Sequence, residues 1–132
     1  MAQAPCPILL VEDDPSVRAG LAQLLSDHGY SVRAAATLGE GRRFLADPRP
    51  AVCLLDLNLP DGNGLELLRE VARRNLPLRI VVMTAFSLQH LRPDDAAHVL
   101  VDWLAKPVAP DALLRAVGRA CDLARGHEGG GA

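Results

Sequence analysis

The chain has 132 residues, of which 49% are hydrophobic and 23% charged, with a formal net charge of -2. That composition fits one globular domain able to bury a core and argues against disorder. It leaves no basic footprint for nucleic acid, no polybasic membrane segment and no apolar run near the roughly 20 residues of a membrane span.

The opening MAQAPCP lacks a positive charge leading into an apolar segment, so no secretory signal is expected. Residues 8–11 form a short apolar run that breaks at Glu12, Asp13 and Asp14. Pro15 suits the first turn of a helix with Asp14 as its N-cap, and Val17, Leu21, Leu24 and Leu25 repeat at helical spacing up to Gly29. Residues 30–35 can form a second strand. Thr37 and Glu40 have capping-box spacing and open a second helix through Leu45, closed at Asp47-Pro48. Residues 52–55 read as a strand buried on both faces, and it ends on the carboxylate of Asp56. Asn58, Pro60, Asp61, Gly62, Asn63 and Gly64 are then turn and loop residues.

A third helix carries Leu65, Leu68 and Val71 and stops near Asn75 and Pro77. Residues 78–83 are a fourth strand, bounded by Thr84 and Ala85. A fourth helix over 87–97 is interrupted by Pro93. Residues 99–104 read as the fifth strand, ended by Lys106-Pro107, and Pro110 begins a last helix with Leu113, Leu114, Val117 and Cys121 on one face. The domain is expected over 1–125, with a disordered glycine-rich tail over 126–132. Cys6, Cys53 and Cys121 are odd in number, widely spaced and without CxxC, which points to reduced thiols in the cytoplasm. The four histidines follow no metal spacing.

The pattern is strand–helix five times over. It predicts an α/β, doubly wound parallel sheet with helices on both faces. All strand ends of such a sheet lie on one edge, where ligands bind. Asp13 and Asp14, Asp56, Thr84 and Lys106 therefore converge although they are far apart in sequence. Alone, each has an ordinary structural role as cap, turn, strand or solvated residue. Together, three carboxylates invite a hard cation such as magnesium, and a nearby lysine and hydroxyl suit capture of a phosphoryl group by Asp56.

The segments LLVEDDPSVR, LLDLNLPDGNGLELL, VVMTA and WLAKP resemble, in order and spacing, the receiver domain of bacterial two-component response regulators, of the chemotaxis-regulator kind. The likeness runs over about residues 7 to 124. It implies a flavodoxin-like (βα)5 fold with strand order 2-1-3-4-5, and Asp56 as phospho-acceptor for a sensor histidine kinase or phosphotransfer protein. It implies Mg2+ held by Asp13, Asp14, Asp56 and the backbone carbonyl of Asn58, with Thr84 and Lys106 meeting the phosphoryl oxygens. The output face of the fourth helix, fifth strand and fifth helix would bind a partner or a second copy.

Trp103 and the run from His98 to Val101 depart from the family's usual pattern, the run standing where a Gly-Ala pair is common, while Asn58 and Phe86 are positions that vary in the family. Trp103 stands where Tyr or Phe is more common and is expected to switch with Thr84. Phe86, apolar beside the site, is expected to exclude water and slow self-dephosphorylation. An aspartyl phosphohydrolase would need an acid where Asn58 stands. A flavin module would need a phosphate loop where Glu12, Asp13 and Asp14 repel phosphate. The remaining alternative is a receiver that signals by binding alone. No DNA-binding segment follows residue 124, so the expected unit is a stand-alone receiver or a piece of a longer regulator.

Overall fold

The computed structural model describes residues 5–85 and 96–126. The expected fourth helix falls almost wholly outside these residues, as do Phe86, His90, Pro93, His127 and the tail beyond Gly126. Five strands make one parallel sheet: β1 (Pro7–Val11), β2 (Ser31–Ala35), β3 (Val52–Asp56), β6 (Arg79–Thr84) and β7 (Leu100–Ala105). Their order is β2-β1-β3-β6-β7. Counting only these five, it is the expected 2-1-3-4-5, a flavodoxin-like arrangement.

Because side chains alternate across a strand, the central strands feed two cores. Leu9, Val11, Cys53, Leu55, Ile80 and Val82 share one with Leu67, Leu68 and Val71 of α3 (Leu65–Arg73). Ile8, Leu10, Leu54, Val81 and Met83 share the other with Leu25 of α1 (Pro15–Asp27) and Leu113 and Val117 of α4 (Pro110–Cys121). Each large side chain so buried contributes about 1.5–3 kcal/mol. This explains why β3 reads as an unbroken apolar run rather than an alternating one.

Local chemistry sets the helix starts. Asp14 Oδ1 accepts from the amides of Ser16 (2.9 Å) and Val17 (3.1 Å), and Pro15 takes the first helical position. At α2 (Leu38–Arg43), Thr37 Oγ1 accepts from Glu40 N–H at 3.1 Å, while Glu40 Oε1 accepts from Ala36 N–H at 2.7 Å. The helix ends two residues short of Leu45. Its entry has a second clamp: Asp61, from the loop after β3, accepts from the amides of Leu38 (2.8 Å) and Gly39 (3.0 Å). Those two amides hold the Asp61 carboxyl below its ordinary range. The same loop folds into a small antiparallel hairpin, β4 (Asn58–Leu59) with β5 (Gly62–Asn63), where the sequence suggested only a turn. After α4 the chain makes a π-helical turn over Asp122–Gly126.

The cysteines require a correction. Cys6 and Cys121 form a disulfide, with Cα atoms 6.3 Å apart, a separation typical of such bonds. Cys6 precedes β1 and Cys121 ends α4, so packing of α4 on the sheet brings together residues 115 apart in sequence. Spacing along the chain could not reveal this. Cys53 is free and packs on the opposite face of the sheet, where burial pushes its thiol up to about 12.

Candidate functional site

Strand register brings the polar residues to one edge. Val11 pairs with Leu55, Asp56 with Met83, and Thr84 with Ala105, so the chain leaves β1, β3, β6 and β7 side by side. Glu12, Asp56 and Thr84 are all buried, at 0%, 3% and 2% exposure. Lys106 is the single lysine of the chain. Its Nζ donates to Glu12 Oε1 at 2.6 Å and Asp56 Oδ2 at 3.0 Å, and its backbone N–H donates to the Thr84 carbonyl at 2.8 Å. The second Asp56 oxygen accepts from Asn58 N–H at 3.0 Å. The acid is thus oriented by a cation on one side and its own loop on the other.

Carboxylate oxygens of Glu12, Asp13 and Asp56 lie within 4.8 Å of one another. Three negative charges face one ammonium, and the donors are all hard oxygens. This set fits a small divalent cation such as Mg2+. The structure brings Glu12, rather than Asp14, into the acidic cluster with Asp13 and Asp56. Oδ1 of Asp14 caps α1. The sequence held the clue, since Glu12 directly follows the buried apolar run whereas Asp14 directly precedes the Pro15 that opens a helix. Glu12 Oε2 in turn accepts from Asp14 N–H at 3.1 Å.

Burial raises the Glu12 carboxyl above its ordinary value, against the hydrogen bond from Lys106. Burial pulls Lys106 the other way, but its bonds to Glu12 and Asp56 and their charges together outweigh this and hold the amine above 10.5. A folded-state pKa above the unfolded one means the stabilisation is complete below the unfolded value and is lost as pH rises through the folded one. With one lysine, selective 15N labelling should give a single Nζ resonance whose midpoint lies above 10.5. A midpoint at or below that value would contradict the bridged geometry.

The acids open into a cleft of about 890 Å3 whose other wall includes Val17, Leu21 and Leu24 of α1 with Pro107 and Val108. Asn58 also lines it, held by its bond to Asp56 and its pairing with Asn63. Gly64 is a site residue that the sequence presented only as part of a turn. A Cβ there would strike the Asp56 carbonyl oxygen and lie 3.0 Å from Leu57 Cα. Its backbone is ordinary right-handed helix, so the requirement is space rather than dihedral freedom. Trp103, opposite Val82 on β7, is buried in the α3-side core with Ala96 and Val99, and its backbone N–H donates to Asp102 Oδ1 at 2.8 Å.

A doubly wound sheet whose acidic edge is bridged by one lysine defines the receiver class of signalling domain. The chain belongs to the response regulator receiver domain family, whose model matches residues 8–118. It is 32% identical over 116 residues to the alginate biosynthesis transcriptional regulatory protein AlgB of Pseudomonas aeruginosa, covering 88% of this chain and 26% of that protein. The chain spans between about a quarter and three fifths of the length of the first curated relatives it matches. Among solved structures it is similar to the receiver domain of a Luxo repressor protein from Vibrio parahaemolyticus. That match has a TM-score of 0.86 and 26% identity, over 94% of this chain and 95% of that one. It is also similar to response regulator TrrA from Thermotoga maritima, solved in complex with Mg(2+)-BeF. There the TM-score is 0.75 and identity 26%, over 86% and 97% of the two chains. Domains of this family are phosphorylation-based signalling switches of two-component systems, not enzymes in the ordinary sense. Among the described residues, no helix is long and apolar enough to cross a membrane.

Proposed function

We propose that this domain is a phospho-acceptor switch in which Asp56 takes a phosphoryl group from the phosphohistidine of a sensor kinase or phosphotransfer protein. The observation that carries this reading is the Lys106 bridge between Asp56 and Glu12 inside the acidic cluster. Glu12, Asp13, Asp56 and the Asn58 carbonyl would hold Mg2+, which when bound offsets charge on the phosphoryl oxygens.

The chain's own residues do the rest. An Asp56 carboxylate oxygen attacks phosphorus, the P–N bond to the donor imidazole breaks, and an acyl phosphate forms. Lys106 exchanges its Asp56 contact for a phosphoryl oxygen, and the Thr84 hydroxyl donates to another. Movement of Thr84 is then felt by Trp103 on the neighbouring strand. That biases the output face around β7 and α4 towards a partner, an output domain or a second copy. The domain reacts at its own aspartate and turns over no metabolite.

The reading places the switch in the cytoplasm with its kinase. Disulfides are uncommon there, but Cys6 and Cys121 are 4% and 2% exposed, which shields their bond from reductants.

Trp103 is the only tryptophan, so its fluorescence reports the switch. Adding Mg2+ and then beryllofluoride should change the emission of the native protein and leave Asp56→Asn unchanged. Equal responses from the two would remove the assignment of Asp56.

A further inference from the structure

We propose that Arg18, in the first turn of α1, is a positioning residue that clamps the metal-binding loop. This rests on the reading of the acidic cluster as the Mg2+ site. One guanidinium nitrogen, Nη1, donates to the carbonyl of Glu12 at 2.9 Å and to that of Asp13 at 3.1 Å. A single charged donor thus grips two successive peptide units, and those units carry two of the three clustered carboxylates. The Arg18 backbone is itself fixed, because its N–H donates to the Asp14 carbonyl at 2.8 Å. Residues 12–14 are therefore pinned from α1 through main chain and side chain alike.

The clamp matters because of what it opposes. Glu12, Asp13 and Asp56 repel one another, and Asp13 is exposed and free to swing away. Lys106 restrains Glu12 and Asp56 but makes no bond to Asp13 among the described contacts. Arg18 holds the Asp13 peptide, and charge-assisted bonds to carbonyls are stronger than neutral ones. Partners that orient metal ligands in this way alter metal affinity by about 10–100-fold when removed.

The test uses the whole chain with Arg18→Ala and Arg18→Lys. Mg2+ binding is followed by the amide shifts of Asp13 and Asp14, and labelling by a small phosphodonor is measured across Mg2+ concentrations. Arg18→Ala should raise the Mg2+ midpoint on the order of tenfold while the labelling rate at saturating Mg2+ stays near native. Arg18→Lys, which keeps a charged donor, should recover most of the loss.

In metal-free protein, hydrogen exchange should quicken in Arg18→Ala at residues 12–14 and nowhere else. A native midpoint with native exchange in Arg18→Ala overturns the proposal, and so does exchange quickened evenly through the domain. If the native protein binds no Mg2+, the reading of the acidic cluster as a Mg2+ site fails. The exchange arm still decides the clamp, supporting it if the change is local and rejecting it if there is none.

Discussion

Reduction of the Cys6–Cys121 bond should lower the free energy of unfolding by about 3–5 kcal/mol. The bond closes a loop of 115 residues, nearly the whole domain, so it removes much of the freedom of the unfolded chain. Against a typical domain stability of about 5–15 kcal/mol the effect is large. Urea titrations with and without reductant measure it directly. Unfolded, unreduced protein should show one titratable thiol, from Cys53, and reduced protein three. Three thiols before reduction, or coincident unfolding curves, would refute the bond.

Gly64→Ala should destabilise the domain by about 3 kcal/mol and lower phosphoryl uptake as well. The new methyl meets the Asp56 carbonyl, the Asp56 carbonyl carbon at 3.2 Å and Leu57 Cα at 3.0 Å, all backbone atoms that no rotamer change can move aside. Either α3 shifts outward or the acceptor strand does. Gly20→Ala makes the contrast. It lies inside α1 with nothing within 4 Å of an added Cβ, so it should stabilise by about 0.5–1 kcal/mol. Denaturation of the two variants side by side checks both signs. Equal effects would mean that the crowding at Gly64 is not felt in solution.

These two sites also show where reading along the chain stops. Apolar runs broken by caps and turn residues carry the five-fold alternation, and alternation alone requires a parallel sheet whose strand ends share an edge. Asp56, Thr84 and Lys106 were legible for that reason: each directly follows or ends an apolar run. Glu12 is equally legible by that rule, since it directly follows β1. Asp14 differs in that its Oδ1 accepts from two amides of its own helix.

What was not legible depends on packing between distant segments. Cys6 finds Cys121 only because α4 lies back along the sheet. Asp61 caps a helix more than twenty residues upstream, Gly64 is crowded by the strand it follows, and Arg18 reaches back to peptides before its own helix. None of these has a period or a spacing to betray it.

The proposed acceptor of the phosphoryl group is Asp56. Intact-mass measurement after incubation with Mg2+ and a small phosphodonor tests it most directly, comparing native protein, Asp56→Asn and Lys106→Met. Native protein should carry one phosphoryl group, located on Asp56 by fragmentation, Asp56→Asn none, and Lys106→Met should take it up more slowly. Phosphate retained by Asp56→Asn at the native level would contradict that assignment.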